Sequence, residues 1–145
     1  MRHNNPPDSE IGSLLASATT IAIVGASSNP DRASNSVMLR MQQLGYRAIP
    51  VNPNETHVLG EKAYPSLSAV PVPIDIVDVF RRAEYTPAIA DEAVNVGAKA
   101  LWLQQGVWND DAAARAKTGG LIVIMDSCIA VEHAVLRVPR RSVRL

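Results

Sequence analysis

The chain has 145 residues, a length typical of a single domain, and 47% of them are hydrophobic, which is enough to build a buried core. Only 4% are aromatic, so aliphatic side chains must fill that core. The 14 basic and 14 acidic residues balance, whereas nucleic-acid-binding domains normally carry a basic excess, so we expect no nucleic-acid partner. The single cysteine, Cys128, excludes an internal disulfide and fits a reducing compartment.

The N-terminal residues are polar and do not resemble a secretory signal, and no apolar run approaches the roughly 18 residues that span a membrane. We therefore expect a cytoplasmic protein with no membrane partner. A single domain is predicted over residues 1–145, with its core at about 10–138. The basic C-terminal tail is expected to be solvated or to form an oligomer contact. Its arginines are Arg137, Arg140, Arg141 and Arg144.

The first half of the chain alternates helical and strand-like patterns. Polar residues at positions 8–9 can cap a first helix, and the short β-branched run 20–24 indicates a strand buried on both faces. Apolar residues at helical spacing predict a helix over 34–44, and the pattern of 46–51 is typical of a second strand. Residues 54–73 are less regular.

The second half continues the alternation. Residues 74–80 predict the third strand, and Pro87 is well placed in the first turn of the helix that follows. The fourth strand is predicted at 100–103. Asn109 caps the next helix, which carries acids in its first turn and a lysine in its last. The fifth strand is predicted at 121–125.

A last helix at about 129–137 completes a pattern of five strands separated by helices and crossovers. This pattern predicts an α/β fold, with a doubly wound parallel five-stranded sheet of the Rossmann-like type. In such a sheet, ligands bind beyond the carboxyl ends of the strands, where the strand order reverses. The loop after the first strand is therefore the predicted ligand site.

That loop begins at Gly25, which would let a ligand approach the backbone closely. The N–H groups that open the next helix, near residues 34–36, form a natural phosphate site, and Arg32 adds a positive charge. The alternative is that Gly25 only makes a tight turn between strand and helix. The length and polarity of the loop favour a ligand site. Its hydroxyl groups come from Ser27, Ser28, Ser34 and Ser36.

A nicotinamide dinucleotide site would require the pattern Gly-x-Gly-x-x-Gly and an acidic residue after the second strand. Only Gly25 matches the pattern, because Ser27 and Pro30 stand at the second and third glycine positions. Asn52-Pro53 follows the second strand, and Glu55 lies further on. Both departures count against an NAD(P)-dependent oxidoreductase, which is kept as an alternative.

Several short motifs follow one another in a specific order between about residues 15 and 135. They are 21–27 with Asn29, Pro30 and Arg32; 45–46; 51–53; Gly60 with Tyr64; 75–81; 97–100; 102–104 with Gly106; and 125–128 with Glu132. Together they resemble the stand-alone CoA-binding proteins, which are similar to the CoA-binding domains of succinyl-CoA synthetase and acyl-CoA synthetases. Two positions depart from the usual pattern: Ala33 replaces a common proline and Asn35 a common aromatic residue.

The resemblance implies that coenzyme A or an acyl-CoA lies across the strand ends. Its phosphates would lie at the loop after the first strand, and its nucleotide part beside the end of the second. The pantetheine or a phosphate would border the turn after the third strand, and the thiol would lie beyond the fourth. The expected CoA-binding residues are Gly25, Ala26, Ser27, Ser28, Asn29, Pro30, Arg32, Ser34, Ser36, Val51, Asn52, Pro53, Phe80, Arg81, Arg82, Gln104 and Gly106.

Catalytic machinery is not expected. The larger synthetases use a phosphorylated histidine in a separate domain, and His3, His57 and His133 lie in no corresponding motif. No His or Cys cluster has metal-ligand spacing, and Cys128 is interpreted as structural rather than as a reactive thiol. The chain would act as a carrier, sensor, partner subunit or homo-oligomer that binds CoA without catalysis of its own. A ligand-free assembly protein is the remaining alternative.

Overall fold

The computed structural model describes residues 2–140, so Arg141 and Arg144 of the predicted basic tail lie outside the described residues. The helices are α1 (Asp8–Ser17), α2 (Ala33–Gln43), α3 (Thr86–Asn95), α4 (Asp110–Thr118) and α5 (Ile129–Val135). The strands are β1 (Thr20–Val24), β2 (Arg47–Val51), β3 (His57–Val58), β4 (Glu61–Lys62), β5 (Ile76–Val79), β6 (Ala100–Leu103) and β7 (Ile122–Ile124).

Five of the strands form one parallel sheet in the order β2-β1-β5-β6-β7. The chain moves from β1 toward one edge and from β5 toward the other, so the strand order reverses between β1 and β5. Residues of α1, α2 and α5 pack in the core on one face of the sheet, and those of α3 and α4 pack on the other. The predicted doubly wound five-stranded α/β fold is confirmed. Within residues 2–140, no helix is long and apolar enough to cross a membrane.

The irregular segment between β2 and β5 contains a small antiparallel hairpin that the sequence did not predict. Strands β3 and β4 pair across a two-residue turn, in which Leu59 and Gly60 both have positive φ angles of 50° and 81°. This turn normally favours Asn-Gly or Asp-Gly, so a Leu-Gly pair gives little signal. After the hairpin, Tyr64 bridges to Val51 and brings residues 64–66 alongside the end of β2.

The N-terminal segment is attached to Met125, the residue that follows the edge strand β7. The Asn5 side chain donates to the carbonyl of Met125 and accepts from its N–H, both at 2.8 Å. His3 is buried against the Trp108 ring, and this burial lowers the pKa of His3. These contacts anchor the segment at the carboxyl end of β7. The polar sequence of this segment gave no indication of this attachment.

Asp78 lies within β5 and faces the core rather than solvent. Its neighbours on the adjacent strands are Ile23 and Trp102, and its exposed fraction is 0%. Neither of its carboxyl oxygens has a hydrogen-bond partner among residues 2–140. Burial raises the pKa of Asp78 well above the ordinary carboxyl value, because the charged form loses its hydration. The native fold therefore favours the protonated acid.

We predict that Asp78→Asn removes a pH-dependent loss of stability. The folded state holds a proton that the unfolded chain releases, so wild-type stability falls as pH rises from the ordinary carboxyl pKa toward the raised one. The slope in that window is about 1.4 kcal/mol per pH unit. Urea unfolding at a series of pH values measures this slope. The control is Asp31→Asn, which makes the same substitution at an exposed residue. Identical pH profiles for wild type and Asp78→Asn would contradict the prediction.

Candidate functional site

A cleft of about 1030 Å³ opens at the carboxyl ends of β1, β2, β5 and β6, where the strand order reverses. Val24 and Val51, the last residues of β1 and β2, line it, and so do the loops that follow the four strands. Parallel sheets bind ligands at this place. The predicted site residues that line the cleft are Gly25, Ser27, Arg32, Ser34, Val51, Asn52, Pro53, Phe80, Arg81, Arg82, Gln104 and Gly106.

The remaining predicted residues are placed elsewhere: Ala26, Ser28, Asn29, Pro30 and Ser36 do not line the cleft. Ala26 is buried in the core, and Asn29 and Pro30 are exposed in the loop after β1. The Ser36 hydroxyl donates to the carbonyl of Ala33 at 3.1 Å, within the first turn of α2. These residues shape the loop or the helix around the cleft.

Gly25 makes the turn from β1 into this loop. Its φ angle is +86°, and a Cβ atom at this position would lie 2.7 Å from the carbonyl oxygen of Phe80. Its N–H donates to the carbonyl of Val51 at 2.9 Å. The space that the sequence assigned to a ligand is therefore partly filled by the protein backbone. The tight-turn interpretation alone accounts for a glycine here, so Gly25→Val would not be a clean test of ligand binding.

Side-chain hydrogen bonds join the loops after β1 and β2. The N–H and hydroxyl of Ser28 both donate to the Glu55 carboxylate, the hydroxyl at 3.0 Å. The Asn52 amide donates to the carbonyl of Ala26 at 2.8 Å. Both carboxylate oxygens of Glu55 thus accept hydrogen bonds from Ser28. A dinucleotide site would require a carboxylate in this region to bind a ribose instead.

Asn35, where the resemblance led us to expect an aromatic residue, has a structural role. It is buried at the start of α2, and its amide donates to the carbonyl of Ser27 at 2.9 Å. A side chain committed in this way stabilises the loop and does not form a wall of the cleft.

Three arginines give one part of the cleft a positive charge. Arg81 lies over the Tyr85 ring, with its guanidinium carbon 4.5 Å from the ring centre. Arg82 is 3.8 Å from Glu84, but both side chains are mostly exposed, at 82% and 64%, so this ion pair is weak. Arg32 is exposed and immediately precedes α2. All three are therefore accessible to an anionic ligand.

The first turn of α2 borders the cleft beside Arg32. Ala33 and Ser34 line it, and the N–H groups that open an α-helix have no partner within that helix. Such groups, together with the helix dipole, attract phosphate. A phosphate in this part of the cleft would meet both the arginine and the helix start.

On the other side of the cleft, the loops after β6 and β7 support each other. The Gln104 side chain accepts from the N–H of Ile129 at 3.0 Å, and Asp126 accepts from the N–H of Gly106 at 2.7 Å. Cys128 immediately precedes α5, is half-buried against the core and does not line the cleft. This placement agrees with a structural role for the thiol.

The sequence missed several lining residues. Some are neighbours of predicted ones, so extending each loop by a residue would have found them. Others come from α3 and from the segment after the hairpin, and only the tertiary fold brings them to the cleft. The missed residues are Val24, Ala33, Asn54, Pro65, Ser66, Ala83, Ile89, Glu92, Gln105 and Val107.

Titratable chemistry in the cleft is sparse. Among the described residues that line it, none is histidine or cysteine. His3 and His133 are buried away from it, and His57 is exposed on β3. Between residues 2 and 140, no group of three or more His, Cys, Asp or Glu side chains is arranged to hold a metal ion.

Comparison with known proteins identifies the family. Residues 19–134 match the family model described as a CoA binding domain. The chain belongs to this family. The family resemblance inferred from the ordered motifs is thereby confirmed.

Relatives of the CoA-binding domain include both small proteins and parts of larger ones. Uncharacterized protein YneT of Bacillus subtilis (strain 168) is 47% identical over 133 residues, covering 92% of this chain and 98% of the relative. The structure of a hypothetical protein from Pyrococcus horikoshii OT3 is 36% identical with a TM-score of 0.89, covering 94% of this chain and 99% of that one. The ADP-forming acetate-CoA ligase II of Archaeoglobus fulgidus is 28% identical over 82 residues, covering 55% of this chain but 12% of the ligase.

We predict that Gly25→Ala destabilises the CoA-binding domain more than Gly60→Ala. Gly60 has a similar φ angle of +81°, but a Cβ atom there would have no neighbour within 4 Å. The control therefore measures the cost of the backbone angle alone, about 1–2 kcal/mol. Gly25→Ala adds the clash with Phe80 and should cost at least about 1 kcal/mol more. Urea unfolding measures both, and equal losses would show that β5 moves aside easily.

Proposed function

We propose that the cleft binds coenzyme A or an acyl-CoA and that this domain catalyses no reaction of its own. Membership of the CoA-binding domain family supports a CoA-related role. The observation that carries the proposal is the division of the cleft. Its cationic part contains Arg32, Arg81 and Arg82, and its uncharged part follows β6 at residues 104–107. Coenzyme A has the same division, with phosphates on its nucleotide half and a long neutral pantetheine arm.

The diphosphate of the ligand would lie at the first turn of α2. There the N–H groups of Ala33 and Ser34 and the guanidinium of Arg32 can interact with it together. Charge-assisted hydrogen bonds of this kind are stronger than neutral ones. Arg81 and Arg82, which line the cleft at the turn after β5, would meet a further phosphate group.

The pantetheine arm would run toward the loop after β6. The residues that line this part, Gln104, Gln105, Gly106 and Val107, carry no charge. The hydrogen bonds to Ile129 and Asp126 fix the loop in place. A preformed surface binds a flexible arm at a lower entropic cost than a mobile one.

The sparse titratable chemistry of the cleft supports binding without catalysis. Acyl transfer normally uses a nucleophile with a neighbouring base, and no histidine or cysteine is among the described lining residues. The related acetate-CoA ligase has this domain as a small part of a larger chain. We therefore propose that the domain acts as a carrier, a sensor or a partner subunit, with any chemistry supplied by another chain.

We predict that coenzyme A and acetyl-CoA raise the melting temperature and that NAD does not. A ligand that binds only the folded state adds about 2.7 kcal/mol at a hundredfold excess over its dissociation constant. For a domain of this size that is about 5–10 °C by thermal-shift measurement. Dephospho-CoA should give a smaller shift if Arg81 and Arg82 contact the 3′-phosphate. A shift with NAD alone would favour the oxidoreductase, and no shift with any nucleotide would favour the assembly protein.

Arg32→Gln provides the matched test of the phosphate site. It removes a cation that lines the cleft, whereas Arg40→Gln removes one from the other end of the same helix. We expect Arg32→Gln to weaken CoA binding roughly tenfold and Arg40→Gln to leave it within about twofold. Equal effects of the two variants on the dissociation constant would contradict the placement of the diphosphate.

A further inference from the structure

Glu92 is the only acidic residue among the described residues that line the cleft. Its position is unexpected in a site proposed for a ligand with several phosphates, because like charges repel one another. A carboxylate in such a site must face a part of the ligand that is neutral and donates hydrogen bonds. The identity of that part follows from where Glu92 lies.

The Glu92 carboxylate is held by the protein on one side. Its Oε1 atom accepts from the N–H of Leu67 at 2.7 Å. Within residues 2–140, Glu92 forms no ion pair, so it does not neutralise the arginines of the cleft. Oε2 has no partner in the described part of the chain and is free to accept a hydrogen bond from a ligand.

The surroundings of Glu92 suit a flat, uncharged ring. The apolar residues that line this part of the cleft are Val24 and Val51 at the ends of β1 and β2, Pro65 after the hairpin and Ile89 on α3. Hydrogen bonds from Tyr64 to Pro50 and from Asn52 to Tyr64 place the Pro65 segment beside the end of β2. Glu92, which is hydrogen-bonded to Leu67, is thereby linked to a segment that lies beside the end of β2.

We propose that Glu92 selects adenine by accepting a hydrogen bond from its 6-amino group. The inference rests on the proposed binding of CoA and identifies the residue that reads the base. With the diphosphate at α2 and the pantetheine arm directed toward β6, the nucleobase is the part of the ligand left for the β2 side. Its ring packs against the apolar residues, and its amino group donates to Oε2. A 6-oxo base such as guanine presents an acceptor at the same position and is repelled.

The experiment compares two ligands that differ in one hydrogen-bond donor. Titration calorimetry measures the dissociation constants of acetyl-CoA and of its analogue in which unsubstituted purine replaces adenine. Because a hydrogen bond to a charged group is lost, we expect wild type to bind the purine analogue roughly tenfold more weakly. This ratio is measured on the unmodified protein, so it does not depend on whether any variant folds.

Glu92→Gln then tests whether this residue is responsible for the ratio. The amide oxygen of glutamine can still accept from Leu67, which leaves an N–H₂ group facing the amino group of the base. We expect the two ligands to bind this variant within about twofold of each other. Asp91→Asn is the matched control. It also removes a carboxylate from α3, but that carboxylate pairs with Arg115 and does not line the cleft. The control should keep the wild-type ratio.

Each outcome decides between the two proposals. Equal affinities of wild type for acetyl-CoA and the purine analogue would overturn the role of Glu92 and leave CoA binding intact. The same is true if Glu92→Gln keeps the preference for adenine. Failure of wild type to bind either ligand would overturn the proposed function and this inference together.

Discussion

The close approach of β1 to β5 determines the shape of the site. At the end of β1 the chain turns with a positive φ angle at Gly25, and the carbonyl of Phe80 leaves no room there for a side chain. The N–H of Gly25 donates to Val51, so the same residue also holds the end of β2. Three strand ends are thus fixed against one another. The loops that follow them can present ligand-binding groups from defined positions.

Much of the polar chemistry around the cleft stabilises the protein itself. The side chains of Ser28, Asn52 and Gln104, three of the predicted ligand-binding residues, form hydrogen bonds that hold neighbouring loops. The charged side chains that line the cleft are three arginines and Glu92, and the start of α2 lies beside them. This division is physically consistent, because a site on rigid supports binds a flexible ligand at a lower entropic cost. These groups also differ in charge along the cleft, which gives a ligand one preferred direction.

The sequence predicted those features that depend on local patterns. Short apolar runs identified β1 and β6 with their observed bounds, and the alternation of elements predicted the doubly wound sheet. The rule for parallel sheets then located the cleft. The hairpin was missed because Leu59-Gly60 is not a typical turn sequence. The burial of Asp78 and the arrival of Glu92 in the cleft depend on how distant segments pack, and no local pattern indicates either.

The central claim is that this cleft is where the domain binds CoA, and an NMR titration tests it most directly. Backbone amide spectra are recorded while acetyl-CoA is added to labelled protein. We expect the largest shift changes at Gly25, Ser34, Arg81 and Gly106, which line the cleft. Amides at the opposite end of the sheet, such as Lys99, should change little. Saturable changes confined to that opposite end, or no changes at all, would contradict the account.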